Sequence, residues 1–175
     1  MKKTKVSKRS TLSTDTKLIP HFLIVILIFV LGLLVYHKSF NSNFIFDDEA
    51  LILNNPLIKN FEYLRDIFTK HLFFGSGEYS NFYRPIQSLS LMIDYHLWEL
   101  KPFGYHLTNV LIHIFCALSV YFLIFLISKK QGIAIMTGLL FCVHTVLSWS
   151  VYYIASRADT LSALFFILSI VLYIK

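Results

Sequence analysis

No Lys, Arg, Asp or Glu interrupts the chain from Leu18 to Tyr36, and comparable apolar runs extend from about Leu107 to Ile127, Gly132 to Tyr153 and Thr160 to Ile174. A helix needs about 20 mainly apolar residues to cross roughly 30 Å of hydrocarbon. The pattern therefore predicts membrane spans at about 18–36, 107–127, 132–153 and 160–174. Between the first two runs the apolar positions recur at helical spacing instead. Leu57, Phe61, Leu64, Ile67 and Phe68 fit a short amphipathic helix, and Gly75-Ser76-Gly77 then breaks the chain. Ile86, Leu89, Ile93, Leu97 and Leu100 fit a second helix over 85–100, with Pro85 in its first turn and Lys101-Pro102-Phe103-Gly104 ending it. Both pieces are rich in Phe, Tyr and Trp, which favour the membrane–water interface. The predicted class is all-α: a polytopic membrane protein of about four spans, whose long first loop, 37–106, carries interfacial helices.

Composition agrees, because 56% apolar and 15% charged residues in a chain of 175 exclude an ordinary soluble domain. The formal charge of +6 is mostly an orientation signal. Lys2, Lys3, Lys5, Lys8, Arg9 and Lys17 precede the first run, Lys129-Lys130 separates the second from the third, and Lys175 follows the fourth. Four crossings put all of these on one side, which the positive-inside rule makes cytoplasmic. Residues 1–17 then form a polar, basic cytoplasmic tail expected to be disordered. The first run is longer than a signal-peptide core of about 7–15 residues and no Ala-x-Ala-like site follows it, so it reads as an uncleaved anchor. Loop 37–106 and the turn Ala155–Asp159 become extracytoplasmic. The expected location is an integral multi-pass one, in the plasma membrane of a bacterium or the endoplasmic reticulum of a eukaryote. Acids outnumber bases in the long loop, and nothing suggests a nucleic-acid partner. Cys116 and Cys142 lie inside predicted spans and read as packing residues.

Four groups of residues are candidates for chemistry. Asp47-Asp48-Glu49 follows the first span. It reads either as a solvated acidic loop or helix start, or as a carboxylate whose neighbours raise its pKa for general-base work on a hydroxyl. A divalent cation held by Asp47 and Asp48 with a phosphate is a further option. Arg84, in Asn81-Phe82-Tyr83-Arg84-Pro85, has the donor fork that suits phosphate, or it anchors the chain at the interface. His106, Asn109 and His113 share one helical face, as functional groups or as contacts between helices. Finally, His144 lies in the third run, with Arg157 and Asp159 just beyond it. These two either pair with each other, or Arg157 holds a lipid phosphate at the outer leaflet.

Phe46-Asp47-Asp48, Asn54-Asn55-Pro56, Tyr83-Arg84-Pro85, Gly104-Tyr105-His106-Leu107-Thr108-Asn109 with His113, and His144 with Arg157-Ala158-Asp159 occur in that order. The ordered set resembles the N-terminal part of the GT-C membrane glycosyltransferases over roughly residues 20–174. Within that family it is most similar to the tetratricopeptide-containing O-mannosyltransferase-like proteins and their bacterial relatives. The resemblance implies a transferase that takes a sugar from a polyprenyl-phosphate donor and passes it to a protein or glycan hydroxyl outside the cytoplasm, among membrane lipids. It also implies that Asp47 or Asp48 supplies the catalytic carboxylate, and that Arg84, His106, Asn109 and Arg157 are the candidates around the donor phosphate. The family usually has His-Pro where this chain has His144-Thr145, and its members have more spans and often a repeat domain. The chain therefore reads as the N-terminal part of such an enzyme, not expected to complete catalysis alone. The competing reading is a small non-enzymatic membrane subunit that docks a partner through its loop. A transporter is disfavoured, because the charged groups gather at one surface rather than near the midplane.

Overall fold

A computed structural model describes residues 18–175; the basic tail 1–17 lies outside the described residues. The charge-free runs fold as helices, and among the described residues there is no strand. Helix α1 (His21–Tyr36) continues through a tighter turn, His37–Asn41. A four-residue helix α2 (Leu64–Ile67), then α3 (Pro85–Trp98), occupy the loop. The long helix α4 (Pro102–Ser128) is followed by α5 (Gln131–Val143), α6 (Ser148–Tyr152) and α7 (Arg157–Ile174). Three stretches are long and apolar enough to cross a membrane: His21–Asn41, Pro102–Ser128 and Ile154–Ile174.

The predicted third span is broken. Gln131–Val143 and Thr145–Tyr152 meet at 46°, and only together do they have the length of a span. Thirteen residues of α5 rise about 20 Å, short of the hydrocarbon thickness. The break sits at His144, whose backbone is extended (ψ 123°) and whose Nδ1 accepts from the Val146 N–H at 3.3 Å. The side chain caps the next turn and so ends the previous helix. The fourth helix begins earlier than predicted: Ile154–Ser156 forms a tight turn that leads straight into Arg157, so Ala155–Asp159 is a helix start and not a free turn.

The loop departs from prediction in two places. Residues 57–68 do not form one helix but a chain of turns, Pro56–Lys59, Phe61–Tyr63 and α2. The reason is two asparagines whose Oδ1 atoms accept from the backbone two residues on: Asn55 from Leu57 N–H and Asn60 from Glu62 N–H, each at 3.0 Å. Asn60 is extended (φ −141°), which stops helical propagation. Helix α3 forms as expected but is turned over. Of its predicted apolar stripe, Ile86, Ile93, Leu97 and Leu100 are exposed and only Leu89 packs against the core, whereas Gln87, Ser88, Leu91, Met92 and Asp94 are buried. An apolar face left outward suits a helix lying against lipid.

Helix α4 is the axis of the molecule. With α1 and α5 it builds one core from Ile24, Ile28, Tyr36, Val110, Ile114, Ala117, Tyr121, Ala134 and Cys142. Gly32 permits the close approach of α1, since a Cβ there would collide with Ile114. A second core, outside the bundle, packs Leu51, Ile52, Ile58, Leu91 and Met92 against Tyr105, Ile154 and Ala155. At the opposite end Gln131 clamps the start of α1: its Oε1 accepts from Ile19 N–H at 2.8 Å and its Nε2 donates to Ile19 C=O at 2.6 Å.

Candidate functional site

Segment Tyr153–Arg157, which joins α6 to α7, exchanges hydrogen bonds with the first loop, α3 and α4. The acidic pair approaches it first. Phe46 adopts a left-handed conformation (φ 48°), uncommon for a bulky residue, and this turns the two following carboxylates apart. Asp48 points inward and is fully buried. Its Oδ1 accepts from Ala155 N–H at 2.9 Å and its Oδ2 from Ile45 N–H at 3.1 Å. Burial pushes its carboxyl up to about 6, against the two backbone N–H groups and Arg157, which favour the charged form; Asp47 adds only a small upward push. The neighbouring acid expected to raise this pKa is thus the lesser cause, and desolvation the greater. Asp47 is exposed, and its backbone N–H donates to Tyr153 Oη at 3.3 Å.

Arg157 is fully buried. Nε donates to Asn109 Oδ1 at 2.7 Å, Nη1 to Ser90 Oγ at 3.2 Å and Nη2 to Tyr105 C=O at 3.0 Å. Nη2 also lies 2.6 Å from Asp94 Oδ2, the one ion pair among the described residues. Asp94 Oδ1 accepts from Thr108 Oγ1 at 2.7 Å. Burial raises the Asp94 pKa, and Arg157 opposes that rise. The pairing of Arg157 with Asp159, one of the two alternatives, does not form. Asp159 is exposed, at a cavity of about 130 Å³ that His113, Ser150 and Thr160 also line. Arg157 is therefore turned into protein and away from the lipid phosphate that its sequence position suggested. Its partner Asp94 was not among the candidates. The available signal was that Gln87, Leu91 and Asp94 share one face of α3, opposite the apolar stripe.

The α4 residues are also interior. Asn109 Nδ2 lies 3.4 Å from the C=O groups of Val151 and Tyr153. His113 Nε2 is 3.1 Å from Cys142 C=O, and its ring stacks on Phe141. His106 is fully buried beside the Ser42-Asn43 backbone, with neither ring nitrogen aligned for a hydrogen bond. Asn109 and His113 thus join helices, whereas His106 packs against the loop after α1. His144 stands apart, exposed at its helix break.

Of the two candidate arginines, Arg84 is the accessible one. It is half-buried at the start of α3, with its guanidinium 4.9 Å from the centre of the Phe82 ring. Gln87, one turn on, donates from Nε2 to Ala155 C=O at 2.7 Å. One residue, Ala155, is thus held on its N–H by Asp48 and on its C=O by Gln87, which links the acidic pair to the Arg84 turn. Asp48 is buried with a backbone N–H on each oxygen, whereas Asp47 is exposed, so the two acids occupy different environments. Among the described residues no three His, Cys, Asp or Glu side chains gather as metal ligands.

No protein-family model matches the chain, and no solved structure does. Curated relatives do. The chain is 29% identical over 162 residues to "Protein O-mannosyl-transferase F38B6.6" of Caenorhabditis elegans, covering 86% of this chain and 23% of that protein. It is 34% identical over 146 residues to "Protein O-mannosyl-transferase TMTC1" of Homo sapiens, covering 80% and 16%. To "Protein O-mannosyl-transferase TMTC3" of Homo sapiens it is 36% identical over 148 residues, covering 80% and 16%. The chain spans no more than about a quarter of the length of the curated relatives it matches.

Proposed function

We propose, for a chain whose homologues are TMTC-family protein O-mannosyl-transferases, that it is the N-terminal part of a GT-C glycosyltransferase. The reaction moves a sugar from a polyprenyl-phosphate donor to a hydroxyl of a protein or glycan on the extracytoplasmic side. The observation that carries this reading is the division of labour in the acidic pair. Asp48 is bonded into the fold, which leaves Asp47 exposed on a fixed backbone beside the Tyr153 hydroxyl. Asp47 takes the proton from the acceptor hydroxyl as its oxygen bonds to the anomeric carbon. The carbon–oxygen bond to phosphate breaks, and the lipid phosphate leaves with the electron pair. Arg84, cationic and unpaired among the described residues, receives that phosphate. Arg157, Asn109 and His106 act from behind, as the buried support of the turn that holds Asp47.

The test is transfer from polyprenyl phosphomannose to a peptide acceptor, in membranes carrying the protein within its full enzyme. General-base contributions are typically 10²–10⁴-fold, so Asp47→Asn is expected to reduce turnover by about 100-fold or more at unchanged membrane insertion. Undiminished transfer would remove Asp47 from the reaction. The non-enzymatic alternative has the exposed Tyr79, Phe82 and Tyr83 of the loop in its favour. It predicts a stable co-purifying partner, and loss of that partner rather than of transfer when these rings are replaced.

A further inference from the structure

Where α4, α6 and α7 meet, a cavity of about 130 Å³ opens beside the first turn of α7. Asp159, Ser150, Thr160 and His113 give it a polar wall, and Phe141 and Ala163 an apolar one. None of these groups takes part in the proposed transfer. Asp159 carries an exposed carboxylate that no cation pairs among the described residues. Its place in the first turn of α7 explains why the charge is tolerated, but not why the groups around it stay open. His113 is 2% exposed, and its Nε2 lies 3.1 Å from Cys142 C=O. A carbonyl only accepts, so the hydrogen is assigned to Nε2, and Nδ1 of the uncharged ring presents a lone pair. That nitrogen has no hydrogen-bond partner, yet it is not sealed as both ring nitrogens of His106 are. The opening that His113 lines is this cavity. Thr160 Oγ1 donates to Ser150 C=O at 3.4 Å, which leaves its own lone pairs free as well.

The polar wall thus offers a carboxylate, an imidazole nitrogen and hydroxyls, all acceptors, and calls for a donor of positive charge. Room is limited. A cavity of roughly 150 Å³ is filled by one benzene ring, so a group of a few heavy atoms fits and a whole sugar does not. A bare metal ion suits the lining poorly, because among the described residues no three His, Cys, Asp or Glu side chains gather. It would also leave the apolar wall unused. That wall continues along α7, where Asp159, Ala163 and the exposed Phe166 follow at i, i+4 and i+7 on one face of a membrane-spanning helix. A cationic donor joined to an apolar body matches both walls.

We propose that this cavity holds the primary ammonium of an ethanolamine-type membrane lipid, whose N–H groups donate to Asp159, to His113 Nδ1 and to a hydroxyl of Ser150 or Thr160. The two-carbon arm leads out of the cavity, and the acyl chains lie against Ala163 and Phe166. Three N–H donors meet three acceptors. A choline head group has the same charge but no N–H, so it is rejected. The site is independent of sugar transfer.

The chain is reconstituted in phosphatidylglycerol nanodiscs doped with equal amounts of dioleoyl phosphatidylethanolamine and dioleoyl phosphatidylcholine, and retained lipid is counted by native mass spectrometry. Charge-assisted hydrogen bonds predict that wild type retains the ethanolamine lipid about tenfold better. Asp159→Asn, at an exposed position that leaves the fold intact, is expected to bring that ratio close to one. Ala163→Leu, which fills the cavity from its apolar side, is expected to do the same with the carboxylate in place. Equal retention of the two lipids by wild type overturns the proposal, and that comparison needs no substitution. A preference that survives both Asp159→Asn and Ala163→Leu overturns it as well, since the selection then lies outside the cavity. Retention of neither lipid also overturns it, and is the outcome expected if a lysine side chain of another protein segment is the occupant.

Discussion

At the residue scale, Arg157 and Asp48 are charged groups placed where water does not reach. The Arg157 cation is balanced by Asp94 and by three neutral acceptors. Removing one member of a buried pair strands the other, at a cost of about 3–5 kcal/mol, whereas removing both is often nearly neutral. Arg157→Met is therefore expected to lower the unfolding midpoint in detergent sharply, and Arg157→Met with Asp94→Leu to restore most of it. Asp48 predicts a pH dependence. Its folded pKa of about 6 lies above the ordinary 3.8, so the folded state holds the proton more tightly than the unfolded chain. Its contribution is most favourable below the ordinary pKa and declines as pH rises to about 6, by roughly 3 kcal/mol, then levels off. Unfolding midpoints measured from pH 4 to 7 should show wild type losing ground to Asp48→Asn across that window. A flat difference would mean that Asp48 is not desolvated. The candidate acids were visible in the sequence as a pair. Their opposite orientations were not, because these follow from the backbone at Phe46 and from the N–H of Ala155, more than a hundred residues away.

At the element scale, the charge-free runs gave α1 and α4 away because apolar length alone decides whether a helix can span. Other elements were hidden by hydrogen bonds that carry no hydropathy signal. Asn55 and Asn60 divide residues 57–68 into turns, and His144 caps a turn within an otherwise apolar run. Helix α3 was legible as a helix but not in its orientation. Its apolar stripe faces out, and Asp94 is drawn inward by an arginine from the far end of the chain. The break at His144 forms without the proline that the family pattern would place after it, yet its geometry suits one. His144 is extended (φ −66°, ψ 123°), as a residue before proline prefers. Thr145 starts the following turn, where its N–H has no partner in that turn, and its side chain is exposed. Thr145→Pro is accordingly expected to be tolerated and to stabilise by about 0.4–1 kcal/mol through the unfolded chain. A lowered midpoint would show that the break needs freedom at this position.

At the scale of the whole molecule, contacts sort the chain ends onto two faces despite the bent third segment. Gln131 ties the start of α5 to the start of α1, so Ile19, Lys129 and Lys130 share one face. Asp47 and Asp48 tie the loop to Tyr153 and Ala155, so the end of α6 and the start of α7 share the other with Arg84 and Gln87. The eighteen residues of α7 rise about 27 Å, enough to carry Lys175 back toward the first face. The break therefore redirects the chain without preventing α5 and α6 together from passing between faces. This geometry fixes which groups lie together, and the direction we propose comes from the positive-inside rule, which would put Lys129, Lys130 and Lys175 on the cytoplasmic side. Cysteine labelling tests it, because Cys116 and Cys142 are both buried and leave a quiet background. Tyr79 is 85% exposed in the loop. Tyr79→Cys should react with a membrane-impermeant maleimide in sealed, right-side-out cells, and Lys129→Cys only after permeabilisation. The reverse pattern would place Asp47 in the cytoplasm and end the case for transfer outside it. Labelling of both without permeabilisation would mean that α5 and α6 do not take the chain across.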